Sequence, residues 1–400
     1  MRTFKKTDSC FGSIPTHWNV AKLKYFCKIS NGSDPTTPGN IPVYGSGKGV
    51  IKYCGEYKEG PAILLGRKGT LDRPKYIEGK FWNIDTAMDA YATNGINTRY
   101  LYYITTALDI KKYATATAKP SMTQTDYYNM LIPIPINTEQ DLIANYLDAR
   151  CNTIDESISR HQSIIDKLCE YQSALITHAV LHGIHPDQKY QAVDSEWIDK
   201  IPNTWDMKRG KWLFREASER SEDGTEELLT VSQYTGVTPR SQKNVTMFEA
   251  ESLVGYKICH IGDIAANTMW LWAGAIGVSN YEGVISPSYN VYRQITDAYD
   301  SEYLDYLLRA IPLVQHYKAL STGIRPSRLR LYPPQFLDIK FPVPPKTEQT
   351  VIVAYLKEKI TGVTTAIARQ KAAIEKLEEY KKSIIFNTVT GKIDVSGNES

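Results

Sequence analysis

Lys119-Pro120-Ser121 and Arg325-Pro326-Ser327 each follow a stretch rich in Ser and Thr, in two distant parts of the chain. Residue types of this kind suit contact with a nucleic acid. Arg and Lys neutralise phosphates and read guanine through paired hydrogen bonds, Asn and Gln suit adenine, and Ser and Thr bond to either. GRKGT at 66–70 sets Arg67 and Lys68 between glycines that allow close backbone approach, with Thr70 after them. The aligned stretch NTMWLW offers Asn267, Trp270 and Trp272. Lys48, Gln124, Arg240, Arg328 and Arg330 complete the candidate contact set. For each of these residues a solvated surface loop is the competing reading.

Motifs for chemistry on a substrate fail on inspection. GSGKG at 45–49 lacks the first glycine of a phosphate-binding loop, because position 42 is Pro42, and Gly49 stands where the hydroxyl after the lysine belongs. YPPQF at 332–336 has no leading Asp or Asn, and no glycine fingerprint for S-adenosylmethionine accompanies it. His178, His182 and His185 have a spacing that could bind a metal, but no HExxH carboxylate goes with them. Glu56-Tyr57-Lys58 is a carboxylate–lysine pairing of the kind that arises by chance. The expectation is therefore no catalytic residue, no metal and no cofactor in this chain.

The elements that must position the candidate loops are repeated. Residues 138–180 align with 347–389 at a constant offset of 209, with 15 identities over 43 positions. Both segments read as long amphipathic helices. One heptad row is Leu147, Ile154, His161, Leu168 and Leu175, flanked by Ile158 and Ile165. The partner row is Leu356, Val363, Gln370, Leu377 and Ile384, flanked by Ile367 and Ile374. Such rows predict a coiled coil. A polar residue, His161 or Gln370, falls at the same place in each. Thr138 and Thr347 are the expected N-caps, and Gly391 the expected stop of the second helix.

Upstream of each helix lies a β-rich block that opens on Ile-Pro and a tryptophan, Ile14-Pro15 with Trp18 and Ile201-Pro202 with Trp205. The ends of the two blocks match and their middles have little in common. The expected fold is α+β: two similar domains separated by two long antiparallel coiled-coil helices, as a pseudo-two-fold tandem repeat. About thirty helical residues reach about 45 Å, which exceeds one turn of B-DNA at about 34–36 Å. Two halves related in this way suit a bipartite target.

Composition sets limits on this reading. The chain has 47 Lys and Arg against 44 Asp and Glu, a net charge of +3. Residues 1–137 hold 18 basic and 10 acidic side chains, whereas 194–346 hold 17 and 19, with an acidic run at 216–227. A polyanion is favoured by the first block only. None of the six cysteines forms a CxxC pair, and no stretch approaches the 18 apolar residues of a membrane span. The N-terminus lacks the apolar run of a signal peptide, so a cytoplasmic protein is expected.

IPxxW at Ile14 and Ile201, YGSGKGVIKY at 44–53, GRKGT at 66–70, GAIGVS at 274–279, SPSY at 286–289 and PxxxEQ at 135–140 and 344–349 together resemble the specificity subunits of Type I restriction-modification systems. The resemblance covers nearly all 400 residues in order. It implies target-recognition domains at 1–137 and 186–346, spacer helices at 138–185 and 347–391, and a tail at 392–400. The implied function is recognition of a split site on double-stranded DNA, without catalysis. The implied partners are two modification subunits that bind S-adenosylmethionine and two restriction subunits that use ATP and Mg. The competing classes are a self-contained DNA-modifying or DNA-cleaving enzyme and a coiled-coil scaffold that does not touch DNA.

Overall fold

A computed structural model describes residues 2–110, 120–243, 252–323 and 329–395. The chain divides into two compact units, residues 1–163 with 370–400, and residues 164–369. Both units are α+β, and the same plan builds each.

In the first unit an antiparallel sheet has the order Cys27–Asn31, Ala87–Ala92, Ala62–Gly66, Lys75–Ile77. In the second unit the order is Phe214–Ala217, Asn290–Gln294, Ile264–Ala266, Ile276–Val278, again antiparallel. The register also matches, since Gly66 faces Ala87 and Ala266 faces Asn290. A hairpin stands beside each sheet, Ile41–Tyr44 with Val50–Cys54 and Leu229–Ser232 with Gly236–Pro239. The last strand of each block returns to the first strand after the tryptophan motif: Leu131–Ile134 pairs with Asn19–Lys22, and Lys340–Val343 with Asp206–Arg209. The middles that diverged in sequence therefore kept their topology. Strand pairing uses backbone groups, and any alternation of apolar residues can fill the buried face.

One helix follows the sheet in the first unit, Thr98–Ala107, capped by the Asn97 side chain on the amides of Arg99 and Tyr100. In the second unit Asp300 caps Ser301–Leu308, and a second helix, Ile311–Leu320, starts afresh with proline in its first turn. Pro312 has no amide to donate and favours a new start.

The two long helices run Asn137–His182 and Lys346–Val389. Their first turns explain the repeated Glu-Gln. Trp18, fully buried, donates its indole N–H to Glu139 Oε2 at 2.8 Å. Trp205 donates to Glu348 Oε2 at 2.5 Å. The next residue ties the helix to the helix after the sheet. Gln140 Oε1 accepts from the Asn97 amide at 2.9 Å, and Gln349 Oε1 from the Asp300 amide at 2.7 Å. The same side chains reach back with Nε2 to the carbonyls of Pro135 and Pro344. Thr138 and Thr347 lie one residue inside the helices rather than at their caps.

About two turns further on, each helix carries an ion pair whose polarity is reversed between units: Arg99 with Asp148 in the first, Glu302 with Lys357 in the second. A glycine of positive φ stops each helix, Gly183 at +74° and Gly391 at +70°. A Cβ on Gly391 would meet Pro15 Cγ at 2.4 Å, so this stop also allows close packing on the Ile-Pro motif.

Both long helices contribute to the core of each unit. In the first unit Ile143, Leu147, Cys151 and Ile154 share one cluster with Ile384, Ile385 and Val389, with Ile158 and Leu377 packed against it. Asp155 pairs with Lys381 at 2.6 Å, and His161 Nδ1 lies 2.5 Å from Gln370 Oε1. Numbering rises along one helix as it falls along the other, so these segments are antiparallel. The two polar heptad positions answer each other. In the second unit Ala179, Val180 and Leu181 join Ile352, Val353 and Leu356, with Leu175 packed against them. Ile165 and Val363 are buried, and Leu168, Ile367 and Ile374 are partly buried.

The clamp gives the first prediction. Glu139→Ala leaves a buried indole N–H without its acceptor and should cost about 1–3 kcal/mol. Glu139→Gln, which keeps an acceptor oxygen, should cost less. Urea unfolding midpoints check this order; equal midpoints for wild type and Glu139→Ala would show that the clamp contributes nothing.

Candidate nucleic-acid interface

In the first unit the candidate residues converge through backbone bonds. The amides of Arg67 and Lys68 both donate to Thr86 O, at 2.9 and 3.2 Å. Met122 N donates to Arg67 O at 2.9 Å, and Gly69 N to Pro120 O at 3.1 Å. An isolated antiparallel bridge joins Lys68 to Ser121. The GRKGT loop and the Pro-Ser segment are therefore neighbours. The hairpin tip 45–49 closes the group, because Ser46 Oγ donates to Lys68 O at 2.7 Å. Gly45 packs closely there: a Cβ would meet Thr86 Oγ1 and Ile51 Cδ1 at 2.8 Å, so those side chains would have to shift. Gly69, at φ +82°, turns the chain back. GSGKG leads into the strand Val50–Cys54 and not into a helix, which agrees with its failure as a phosphate-binding loop.

Side chains on this frame differ in their freedom. Lys48 is exposed at the hairpin tip. Lys68 Nζ sits 3.1 Å from Asp85 Oδ2, with both side chains about half exposed. A surface pair of this sort holds weakly, at roughly 0–1 kcal/mol, and a phosphate can replace the carboxylate. Arg67 Nη1 donates to Asp85 O at 3.1 Å and is partly buried. Thr70 is partly buried, and Gln124 opens the short helix Gln124–Asn129 behind its Thr123–Asp126 capping box. Lys119 lies outside the described residues.

Lys75 is a member that sequence reasoning missed. Its Nζ donates to Gly45 O at 2.7 Å and lies 5.5 Å from the Tyr44 ring, so it fixes the hairpin from beneath. Burial holds its pKa below the usual lysine value. No pattern in RPKY marks it.

The corresponding loop of the second unit is built from aromatic and amide groups. Asn267 is 5 % exposed and follows the strand Ile264–Ala266, as Arg67 follows Ala62–Gly66. Its Nδ2 donates to Tyr289 OH at 2.9 Å, and its Oδ1 accepts from the Met269 amide at 3.2 Å. Asn267 thus shapes the loop from inside. Burial raises the Tyr289 pKa, opposed by the Asn267 hydrogen bond and the charge of Arg240. Thr268 Oγ1 donates to Ser288 O at 2.7 Å, which joins the SPSY motif to the same loop. Trp270 is 53 % exposed and stacks on Trp272 at 5.6 Å between centroids, 25° between planes. The Trp272 indole N–H donates to Met269 O at 2.9 Å.

The tip of the adjoining hairpin presents Gln233 and Tyr234, the latter 81 % exposed. Neither was singled out by the sequence, although SQYTG between two apolar runs marks the turn. Arg240 begins the short helical turn after that hairpin. Arg330 is exposed and pairs through its backbone with Thr322, at 2.9 Å in both directions. No described contact joins Arg330 to the tryptophan loop. Arg325, Ser327 and Arg328 lie outside the described residues.

The acidic run does not form a free anionic face. Glu216 pairs with Lys257 at 3.6 Å, Glu219 with His260 at 3.2 Å, and Glu226 accepts from Ser221 Oγ at 2.6 Å. Two carboxylates, Glu282 foremost and then Glu219, raise the His260 pKa against the effect of desolvation. Among the described residues no three His, Cys, Asp or Glu side chains are grouped to hold a metal, and no helix is long and apolar enough to cross a membrane.

Residues 15–164 match the family model of the Type I restriction modification DNA specificity domain. The chain is thus similar to the specificity subunits of Type I restriction-modification systems. It is 24% identical over 347 residues to the Type I restriction enzyme MjaVIII specificity subunit of Methanocaldococcus jannaschii, covering 83% of this chain and 76% of the relative. It is 28% identical over 120 residues to the EcoprrI specificity subunit of Escherichia coli, covering 30% of this chain and 29% of that one. The match thus spans under a third of the EcoprrI subunit. A chain solved in a study of complex assembly and conformational transition of the type I R-M system shares the fold, with TM-score 0.64 and 15% identity, over 95% of this chain and 99% of that one.

The exposed lysines of the first unit predict a salt-dependent contact with DNA. Lys48→Ala and Lys68→Ala should each weaken DNA binding and flatten the dependence of log K on log salt by about one unit if each meets one phosphate. Titrations across a salt series check this, and unchanged slopes in both variants would remove the hairpin and GRKGT loop from the phosphate contacts.

Proposed function

We propose that the chain reads a split target on double-stranded DNA, one half-site per unit, and that the paired long helices set the distance between the half-sites. The reading is carried by one observation: both units keep the same strand order and register, while the loops at equivalent strand ends differ in chemistry. A common scaffold with divergent loops is what two related readers of different sequences require. The loops around Arg67, Lys68 and Ser121 and around Trp270 and Arg240 make the contacts, together with Lys119, Arg325, Ser327, Arg328 and Arg330.

The chain itself performs no chemistry. It docks two modification subunits, which bring S-adenosylmethionine, and two restriction subunits, which bring ATP and Mg. The repeated helices, with the same heptad rows in both, support docking of partners in pairs. The family-model match over residues 15–164 and the similarity to a specificity subunit support the recognition role.

Replacing residues 19–134 by the equivalent block of a relative should change one half of the methylated motif and leave the other half intact. Methylome sequencing of a host carrying the system reads this directly, and a change in both halves would overturn the modular reading. A second test addresses the ruler. Four residues inserted after Arg160 and four after Arg369 lengthen each helix by about 6 Å, close to two base pairs at about 3.4 Å each. The motif should keep its half-sites and gain spacer length. Unchanged spacing in a complex that still methylates would show that the helices do not set it.

A further inference from the structure

The equivalent loops of the two units differ in the kind of side chain they offer. In the first unit the hairpin tip and the loop after the third sheet strand carry Lys48, Arg67 and Lys68. In the second unit the same two places carry Gln233 with Tyr234 and Asn267 with Trp270. Between them lies a cleft of about 240 Å³, lined by Ser232, Gln233, Tyr234, Asn267, Trp270 and neighbouring residues.

Its construction is that of a stacking site. Trp270 and Tyr234 are exposed, at 53 % and 81 %, and neither makes a side-chain hydrogen bond among the described residues. Two such aromatics at a loop and a turn lose apolar contact with nothing in return. Trp270 is held from behind, since Trp272 stacks on it and is itself fixed by its indole N–H on Met269 O. Asn267 is locked by Tyr289 and the Met269 amide, which sets the loop from which Trp270 projects. Gln233 keeps a free amide at the rim. Lys243, which donates to Ser232 Oγ at 3.3 Å, is partly buried, and desolvation lowers its pKa. It steadies the hairpin.

We infer that this cleft takes one nucleobase of the second half-site, unstacked from its neighbours and placed against Trp270 beside Tyr234, with the Gln233 amide at its edge. The inference rests on the proposed DNA-reading role and gives that role a chemistry. Aromatic rings stack on any base face and bind without neutralising phosphate. An aromatic side chain that displaces a base step offsets the unstacking cost by the contact it gains. An amide such as that of Gln233 bonds adenine through two hydrogen bonds. The second unit therefore reads by stacking where the first relies on cations, which fits a block with 17 basic and 19 acidic residues.

The test is a double-mutant cycle on the full chain. The probe is a duplex carrying the motif found by methylome sequencing, with each nucleotide of the second half-site replaced in turn by an abasic nucleotide. Trp270→Ala should weaken binding to the intact duplex by roughly ten- to a hundredfold, with the salt slope unchanged. At one position the abasic duplex should abolish that loss. Trp270→Phe should retain most of the affinity, and Tyr234→Ala, at an exposed turn, should couple to the same nucleotide. If Trp270→Ala does not fold, Tyr234→Ala carries the cycle. Additive effects at every position, or a slope that falls by about one unit, overturn the stacking site. A wild-type chain that does not prefer the motif duplex to a scrambled one overturns the DNA-reading role, and the stacking site with it.

Discussion

A buried tryptophan held by a glutamate at the first turn of a long helix is the contact on which each half of this molecule turns. Trp18 with Glu139 and Trp205 with Glu348 join the start of a β-block to the start of the helix that leaves it. The adjoining glutamines, Gln140 and Gln349, bond both the proline carbonyl behind them and the amide that begins the helix after the sheet. Strand, short helix and long helix meet at one place in each unit. Breaking the bond leaves a buried indole N–H without its acceptor, so the arrangement tolerates little drift. Loops at the other ends of the strands carry no such constraint and are free to change.

That division explains which parts of the molecule were legible in the sequence. The Glu-Gln starts and Ile-Pro tryptophan openings stood out because each residue has one task that few others can do. The heptad rows stood out because a helix imposes its period on whatever it packs against, and Leu147, Ile154, Leu356, Val363 and Ile384 are indeed buried. The common strand order of the two middles was hidden. A strand needs only alternation, and an order such as 27–31, 87–92, 62–66 follows from pairing that no local pattern records.

The candidate contact residues divide in the same way. Arg67, Lys68 and Ser121 were found by residue type, and the structure brings them together through backbone bonds that the sequence does not reveal. Asn267 was a candidate DNA contact by residue type but is enclosed, with its amide engaged by Tyr289 and the Met269 amide. Type alone cannot distinguish an amide that faces out from one that shapes a loop. Lys75 and Tyr234 were missed for the opposite reason. One acts from beneath a turn and the other stands at its tip, and neither belongs to a motif.

The sharing of both helices between the units bears on how the chain reaches its native state. The second unit is one continuous stretch, 164–369, whereas the first needs 370–400 as well as 1–163. The cluster that holds Leu147 and Ile154 is incomplete until Leu377, Ile384 and Ile385 arrive, and Phe11 waits for the ring of Phe386. During synthesis the part made first is therefore completed last. Part of its apolar helix face stays open while more than two hundred residues are added, which is the condition under which chains seek other partners for their exposed surface. The closing contact is also among the longest in sequence, so loop-closure entropy opposes it most.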